Sequence, residues 1–309
     1  MKKIDFSYSA TDGKLIHASK WEPDSGITAK GLIQFIHGMA EHRHRYDDAA
    51  DFFSKAGYIC FAEDHRGHGE TASGPDERAF FAEKDGWNTV VNDIRILSEQ
   101  ISGNHPDLPL ILLGHSMGTA LARTYMIQSP ERLKMVILTG TAAVKSSTLL
   151  TGKIACGLEI IFKGNRVESP LLNQVSFGSF NNCFKPNRTI SDWLSRDEAE
   201  VDKCIADPLV GFICTTGFFR DLLHGLKYIN KPANANKIPE DLPVILISGE
   251  NDPVGNMGKG VRQVYQSLLR AGIKDVQMKL YPGARHEVMH ELNRDRVFRE
   301  MLEWIENRL

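Results

Sequence analysis

The sequence predicts an α/β fold: a mostly parallel, twisted sheet with helices on both faces and a helical cap inserted between two strands. Three observations carry that expectation. Six short apolar runs are separated mostly by stretches with apolar residues three and four apart, the alternation that builds a parallel sheet covered on both sides. This rhythm stops between about Ala143 and Ala235, where no strand pattern is found and Gly, Pro, Asn and Phe mix with short amphipathic stretches. Finally, Leu110 to Ala122 reads as an apolar run, then Gly114-His115-Ser116-Met117-Gly118, then helix-compatible residues.

In chain order, Asp5 to Pro23 alternates apolar and polar residues around Thr11-Asp12-Gly13-Lys14, a turn signal that predicts a hairpin. Buried parallel strands are expected at Gly31–Ile36, Tyr58–Ala62, Leu110–Leu113, Met135–Leu138, Val244–Ile247 and Val276–Leu280. Helices are expected at Tyr46–Ala56, Trp87–Ile101, Met117–Gln128, Gly260–Arg270 and Asp295–Asn307. Residues 1–142 and 236–309 therefore form the core, and 143–235 the cap. The cap's phenylalanines at 162, 177, 180, 184, 212, 218 and 219, with Leu149, Leu150, Leu158, Ile160 and Ile161, either line an apolar channel or form the cap's own small core.

The chain has 309 residues, 42% of them hydrophobic, which suits one large domain with an insertion better than two unrelated domains. A net charge of −2 with dispersed Lys and Arg offers no basic stripe to a phosphate backbone, so nucleic acid is not an expected partner. The two N-terminal lysines precede no apolar stretch, and no segment is apolar for long enough to cross a bilayer. Stable membrane insertion is thus not expected, while transient lipid contact stays open. Five widely spaced cysteines fit neither a disulfide framework nor a zinc knuckle and point to a reducing cytoplasm. Nothing in the sequence indicates the oligomeric state.

Ligands in such sheets bind beyond the carboxyl ends of the strands, so the loops there matter most. Ser116 is held between two glycines on a strand-to-helix turn too tight for neighbours bearing a Cβ, which leaves its hydroxyl exposed as a nucleophile. A serine hydroxyl needs a histidine as base and an acid to orient it. Ser248 to Val254 follows the fifth run and presents Asp252, and Tyr281 to Glu287 follows the sixth and presents His286. Glu250 competes with Asp252 in the same loop, whereas Asp241 and Asp275 precede their strands and lie at the wrong end of the sheet. Backbone donors for an oxyanion are available at Met117, directly after the serine, and at Met39, just past the first parallel strand. His37, His42, His44, His65 and His68 cluster in two loops, but no H-E-x-x-H helix or Cys-rich partner accompanies them, so no metal is expected. His115 and His290 are assigned packing or surface roles.

Four motifs in this order resemble the cap-bearing α/β-hydrolases that include monoacylglycerol lipases, lysophospholipases and serine aminopeptidase-like hydrolases. They are His37-Gly38-Met39-Ala40-Glu41-His42 with Arg45-Tyr46, then Asp64-His65-Arg66-Gly67-His68-Gly69, then Gly114 to Gly118, then Gly249-Glu250-Asn251-Asp252 followed by His286. The resemblance spans Ile33 to Thr141 and Leu242 to the C-terminus, and leaves the cap unmatched. It implies an α/β-hydrolase fold, a triad of Ser116, Asp252 and His286, an oxyanion hole at Met39 and Met117, and no cofactor. It also implies an ester substrate with a single acyl chain, its headgroup near Glu41 and Arg45, although a salt bridge within the loop explains those two residues equally well. An aminopeptidase, with a cap carboxylate holding the substrate amine, a silent ligand-binding relative, and an acyltransferase are the competing readings. Two residues depart from the pattern. Thr119 replaces a frequent glycine, and Arg285 places a cation beside the histidine, depressing its pKa unless the side chain points away.

Overall fold

The computed structural model describes all 309 residues. At its centre lies one eight-stranded sheet in the order β1-β2-β4-β3-β5-β6-β7-β8. The hairpin expected at the N-terminus is β1 (Lys2–Ser9) and β2 (Leu15–Glu22), paired antiparallel, with β2 also antiparallel to β4 (Tyr58–Glu63). The rest run parallel: β3 (Gly31–Ile36), β4, β5 (Leu110–His115), β6 (Leu133–Thr139), β7 (Val244–Gly249) and β8 (Val276–Tyr281). Every residue of β3, β4, β5 and β7 is buried, which is why these strands read as unbroken apolar runs instead of alternating ones.

Most strands outlast their apolar runs. Gly114 and His115 pair with Leu138 and Thr139, and Ser248 and Gly249 pair with Leu280 and Tyr281. These polar extensions at the carboxyl ends are where the chain turns to chemistry.

Helices α1 (Asp47–Lys55) and α10 (Arg294–Glu306) cover one face, packing Phe53, Phe298 and Met301 against Ile33, Phe35, Ile111 and Ile245. The first follows a 3₁₀ turn at Arg43–Tyr46, so the regular helix begins one residue later than the periodicity implies. On the other face, α2 (Gly86–Asn104), α3 (Met117–Gln128) and α9 (Lys259–Arg270) pack against the alternate strand residues Leu112, Val136, Leu138 and Leu246.

Between β6 and β7 the chain forms α4 (Ser146–Lys163), α5 (Pro170–Phe177), α6 (Glu198–Ala206), α7 (Thr216–Ile229) and α8 (Pro232–Ala235), with no strand. Three of these helices start where side-chain oxygens accept first-turn amides: Ser169 from Leu172, Asp197 from Ala199 and Glu200, and Thr215 from Phe218. The segment is anchored through α7, which joins the core packing on α2 and α3; a Cβ on Gly225 would overlap the Trp87 indole.

The cap aromatics divide in a way that neither a channel nor a private core describes. Phe218 and Phe219 are buried in the main core, Phe177 and Phe212 line a cavity, and Leu150, Leu158, Ile161 and Phe162 face outward, 51–82% exposed. An amphipathic pattern reports which residues share a helix face, not whether anything covers that face.

Candidate active site

Ser116 stands between β5 and α3 at φ 52° and ψ −119°, a conformation L-residues avoid. The flanking glycines permit it. A Cβ on Gly114 would sit 2.5 Å from the Gly118 carbonyl oxygen, and one on Gly118 would overlap the Ile36 carbonyl of the crossing strand. Thr119 fits this tight approach, because its hydroxyl donates to the Ser116 carbonyl at 2.7 Å and lies 3.0 Å from the Thr141 hydroxyl.

The three side chains expected from separate loops converge. His286 Nε2 lies 2.9 Å from Ser116 Oγ, and its Nδ1 lies 3.0 Å from Asp252 Oδ2. Asp252 is fully buried, while Glu250, its competitor, is exposed. The Ser248 hydroxyl donates to Asp252 Oδ2 at 3.1 Å and the Val254 amide to Oδ1 at 2.8 Å. Burial alone would raise this carboxyl's pKa, but His286 and the two donors lower it below its ordinary value. Burial likewise works to lower the His286 pKa, and Asp252, with Glu287 and Glu41 behind it, outweighs burial and raises it. Arg285 does not oppose this, since its guanidinium turns away to the carbonyls of Asp192 and Ser195 and lies over the Phe184 ring.

The loop after β3 lies against the serine: a Cβ on Gly38 would come within 3.2 Å of the Ser116 Cβ. The Met39 amide in that loop donates to no backbone carbonyl or side chain. Met117 is the first residue of α3, where amides lack an intrahelical acceptor. Both are therefore available to an oxygen above Ser116.

Glu41 and Arg45 both line the cavity over Ser116, about 190 Å³ in volume, together with Met39, Asn173, Phe177, Trp193, Leu194 and Phe212. They are also held internally. Arg45 binds Glu287 at 2.6 Å and approaches Glu41 at 3.7 Å. Glu41 accepts from the Gly38 amide and the Tyr46 hydroxyl through Oε1, whereas its buried Oε2 has no hydrogen-bond partner. Burial pushes the Glu287 carboxyl up, yet Arg45, with His290 and His115, holds it well below the usual carboxylate range.

Sequence reasoning overlooked Glu287 and Trp193. Glu287 directly follows the histidine, and its burial beside Arg45 has no local signature. The Trp193 ring lies 5.2 Å from that of His286, and its carbonyl accepts the His286 amide at 3.4 Å, a contact between distant segments in a region the motifs do not reach. The loop histidines separate. His37, His65 and His68 form a buried aromatic set, His42 contacts Asp207, and His44 contacts Lys3. His115 is buried with its ring 4.9 Å from that of His286 and also lines the cavity over Ser116, and His290 bonds the Arg45 carbonyl.

Residues 27–293 match the family described as serine aminopeptidase, S33. The mouse monoglyceride lipase is 29% identical, with 96% of this chain and 89% of that protein covered. The Mycolicibacterium smegmatis monoacylglycerol lipase is 28% identical over 99% and 98% of the two chains. Among solved structures, a thermostable carboxyl esterase from Bacillus coagulans in complex with glycerol superimposes with a TM-score of 0.91 at 28% identity, covering 99% of each chain. The chain belongs to the serine aminopeptidase S33 family and has the α/β-hydrolase fold.

Proposed function

We propose that this chain is a serine carboxylester hydrolase of the monoacylglycerol lipase type, with Ser116 as nucleophile, His286 as base and acid, and Asp252 as its orienting carboxylate. The observation that carries this reading is the unbroken relay from the Ser116 hydroxyl through the His286 ring to Asp252, with contacts of 2.9 and 3.0 Å. Because Asp252 accepts from Nδ1, the Nε2 lone pair faces the serine. His286 takes the Ser116 proton as Oγ attacks the ester carbonyl; the oxyanion is received by the Met39 and Met117 amides. Collapse breaks the ester bond, and His286 gives the proton to the departing alcohol. Water, deprotonated by the same imidazole, then cleaves the acyl-serine, returning free acid and serine. No cofactor takes part in these steps.

Glu41 Oε2 supports a hydroxylated headgroup, since it faces the Arg45 guanidinium only at 3.7 Å, beyond hydrogen-bond reach, and this buried oxygen can accept a substrate O–H. The curated relatives named above are lipases of monoacylglycerol, and the carboxyl esterase was solved with glycerol, which favours the same substrate class. No helix is long and apolar enough to cross a membrane. Transient contact with a lipid surface is part of the proposal: Leu150, Ile154, Leu158, Ile161 and Phe162 of α4 and Leu171 and Val175 of α5 are exposed, and α5 also lends Asn173 and Phe177 to the cavity. A cytoplasmic location rests on the spacing of the five cysteines.

Amide hydrolysis by an aminopeptidase is the second reading. It needs a cap carboxylate beside the serine to hold a substrate amine, and the carboxylates lining the cavity are Glu41 and Glu287, both outside the cap and beside Arg45. The test is turnover of p-nitrophenyl esters of graded chain length against amino-acid naphthylamides. Ester cleavage that Ser116→Ala abolishes is expected. Faster amide cleavage, or no cleavage of either, would refute the proposal.

A further inference from the structure

His37 lies outside the proton relay, fully buried, and both of its ring nitrogens are engaged. Nε2 lies 2.9 Å from the His65 backbone nitrogen, which can only donate, so Nε2 must be the unprotonated nitrogen. The proton therefore sits on Nδ1, which donates to the Gly38 carbonyl at 2.7 Å. Burial first, with neighbouring histidines His65 and His68 adding to it, keeps the imidazole neutral by lowering its pKa well below the usual value. Ring stacking on His65, 3.8 Å between centroids, fixes the plane.

The Gly38 carbonyl belongs to the same planar trans peptide as the Met39 amide, so oxygen and N–H point in opposite directions. A donor that fixes the oxygen fixes the direction of the N–H. The preceding peptide is held independently, its Gly38 amide donating to Glu41 Oε1. Gly38 is thus tied on both sides, a carboxylate on its N–H and an imidazole on its C=O, beside Ser116.

We infer that His37 is a positioning residue that aims the Met39 amide at the oxyanion through the Gly38 carbonyl. The inference rests on the proposed acyl transfer at Ser116 and deepens it. Its chemistry needs a neutral ring with the proton on one particular nitrogen, a requirement that simple packing would not impose. A mis-aimed amide weakens an interaction made only in the transition state, so kcat and kcat/KM should fall together while KM holds.

Two substitutions separate the ring's two bonds. In His37→Asn the amide nitrogen reaches the Nδ1 position and keeps the donor to Gly38, but the His65 amide loses its acceptor. In His37→Gln the side-chain oxygen reaches the Nε2 position and keeps that acceptor, but the donor to Gly38 is lost. His37→Asn cuts one methylene more from this packed site than His37→Gln, so a purely structural role would make the Asn variant the worse of the two, the reverse of the order expected here. His37→Gln is expected to lower kcat about 10–100-fold on a soluble p-nitrophenyl ester, with KM within about twofold, and His37→Asn to recover most of the loss. Affinity for a trifluoromethyl ketone, which adds Ser116 to give a tetrahedral oxyanion, should fall in parallel. Equal losses in the two variants, or the reverse order, would overturn the inference. Failure of the ketone to inhibit the unsubstituted protein would instead overturn the acyl-transfer reading beneath it. The unsubstituted protein supplies a check that needs no variant to fold: ¹⁵N shifts of the His37 ring must show a neutral imidazole protonated at Nδ1. Protonation at Nε2 would also overturn the inference.

Discussion

At the residue scale, the proposed mechanism requires His286 to be neutral before it accepts the Ser116 proton. Its pKa in the folded chain lies above 6.5, because Asp252 and the neighbouring carboxylates outweigh burial. Below that value the ring is already protonated and inactive. The acid limb of kcat/KM should therefore rise with pH through a midpoint above 6.5, and a midpoint below it would contradict this electrostatic account. Stability runs the other way, since a raised histidine pKa favours the folded chain below the unfolded value of about 6.5 and loses that contribution as pH climbs through the folded value. Asp252→Asn should leave the fold in place yet reduce kcat by about 10⁴-fold, because an amide can stabilise the wrong ring tautomer and cannot support the imidazolium. Circular dichroism alongside kinetics separates the two effects. Ser116, Asp252 and His286 were legible in the sequence because each follows an apolar run at the carboxyl end of a strand. Glu287 was not, because its meaning depends on Arg45, 242 positions earlier, arriving at 2.6 Å.

At the scale of elements, the turn from β5 into α3 depends on two absent side chains. Gly118→Ala drives a Cβ into the Ile36 carbonyl, a backbone atom that cannot rotate aside. The expected cost is about 1–3 kcal/mol, read as a lower denaturant midpoint, together with a displaced Met117 amide and a loss of kcat. At the base of the cap, Gly225→Ala should cost a similar amount by pressing α7 off Trp87. Wild-type stability in both variants would show that the packing there is looser than described. Strands β3, β4, β5 and β7 were readable because they are buried on both faces, so composition alone marks them. Their polar ends were not, since Gly114, His115, Ser248 and Gly249 owe their strand geometry to neighbours in the sheet. In the cap, the helix starts carry side-chain caps, but the route of the chain depends on long-range contacts such as Trp193 with the His286 loop.

At the scale of the whole molecule, a polar relay and an apolar surface share one end of the sheet. The core loops bring the serine, the histidine and two carboxylate-braced loops together, and α5 links the cavity to the exposed face it shares with α4. Ile161→Ser with Phe162→Ser, 77% and 82% exposed, should change stability by less than about 0.5 kcal/mol. The same pair should slow hydrolysis of micellar monoacylglycerol while sparing a short soluble ester, and equal effects on both substrates would argue against lipid contact at this face. The kinetic expectations presuppose that Ser116 forms the covalent intermediate. The direct measurement is the intact mass of the protein, acid-quenched during turnover of a monoacylglycerol, with peptide mapping of any adduct. One acyl group on Ser116, absent from Ser116→Ala, is the expected result; an adduct on another residue, or full turnover by Ser116→Ala, would contradict the account.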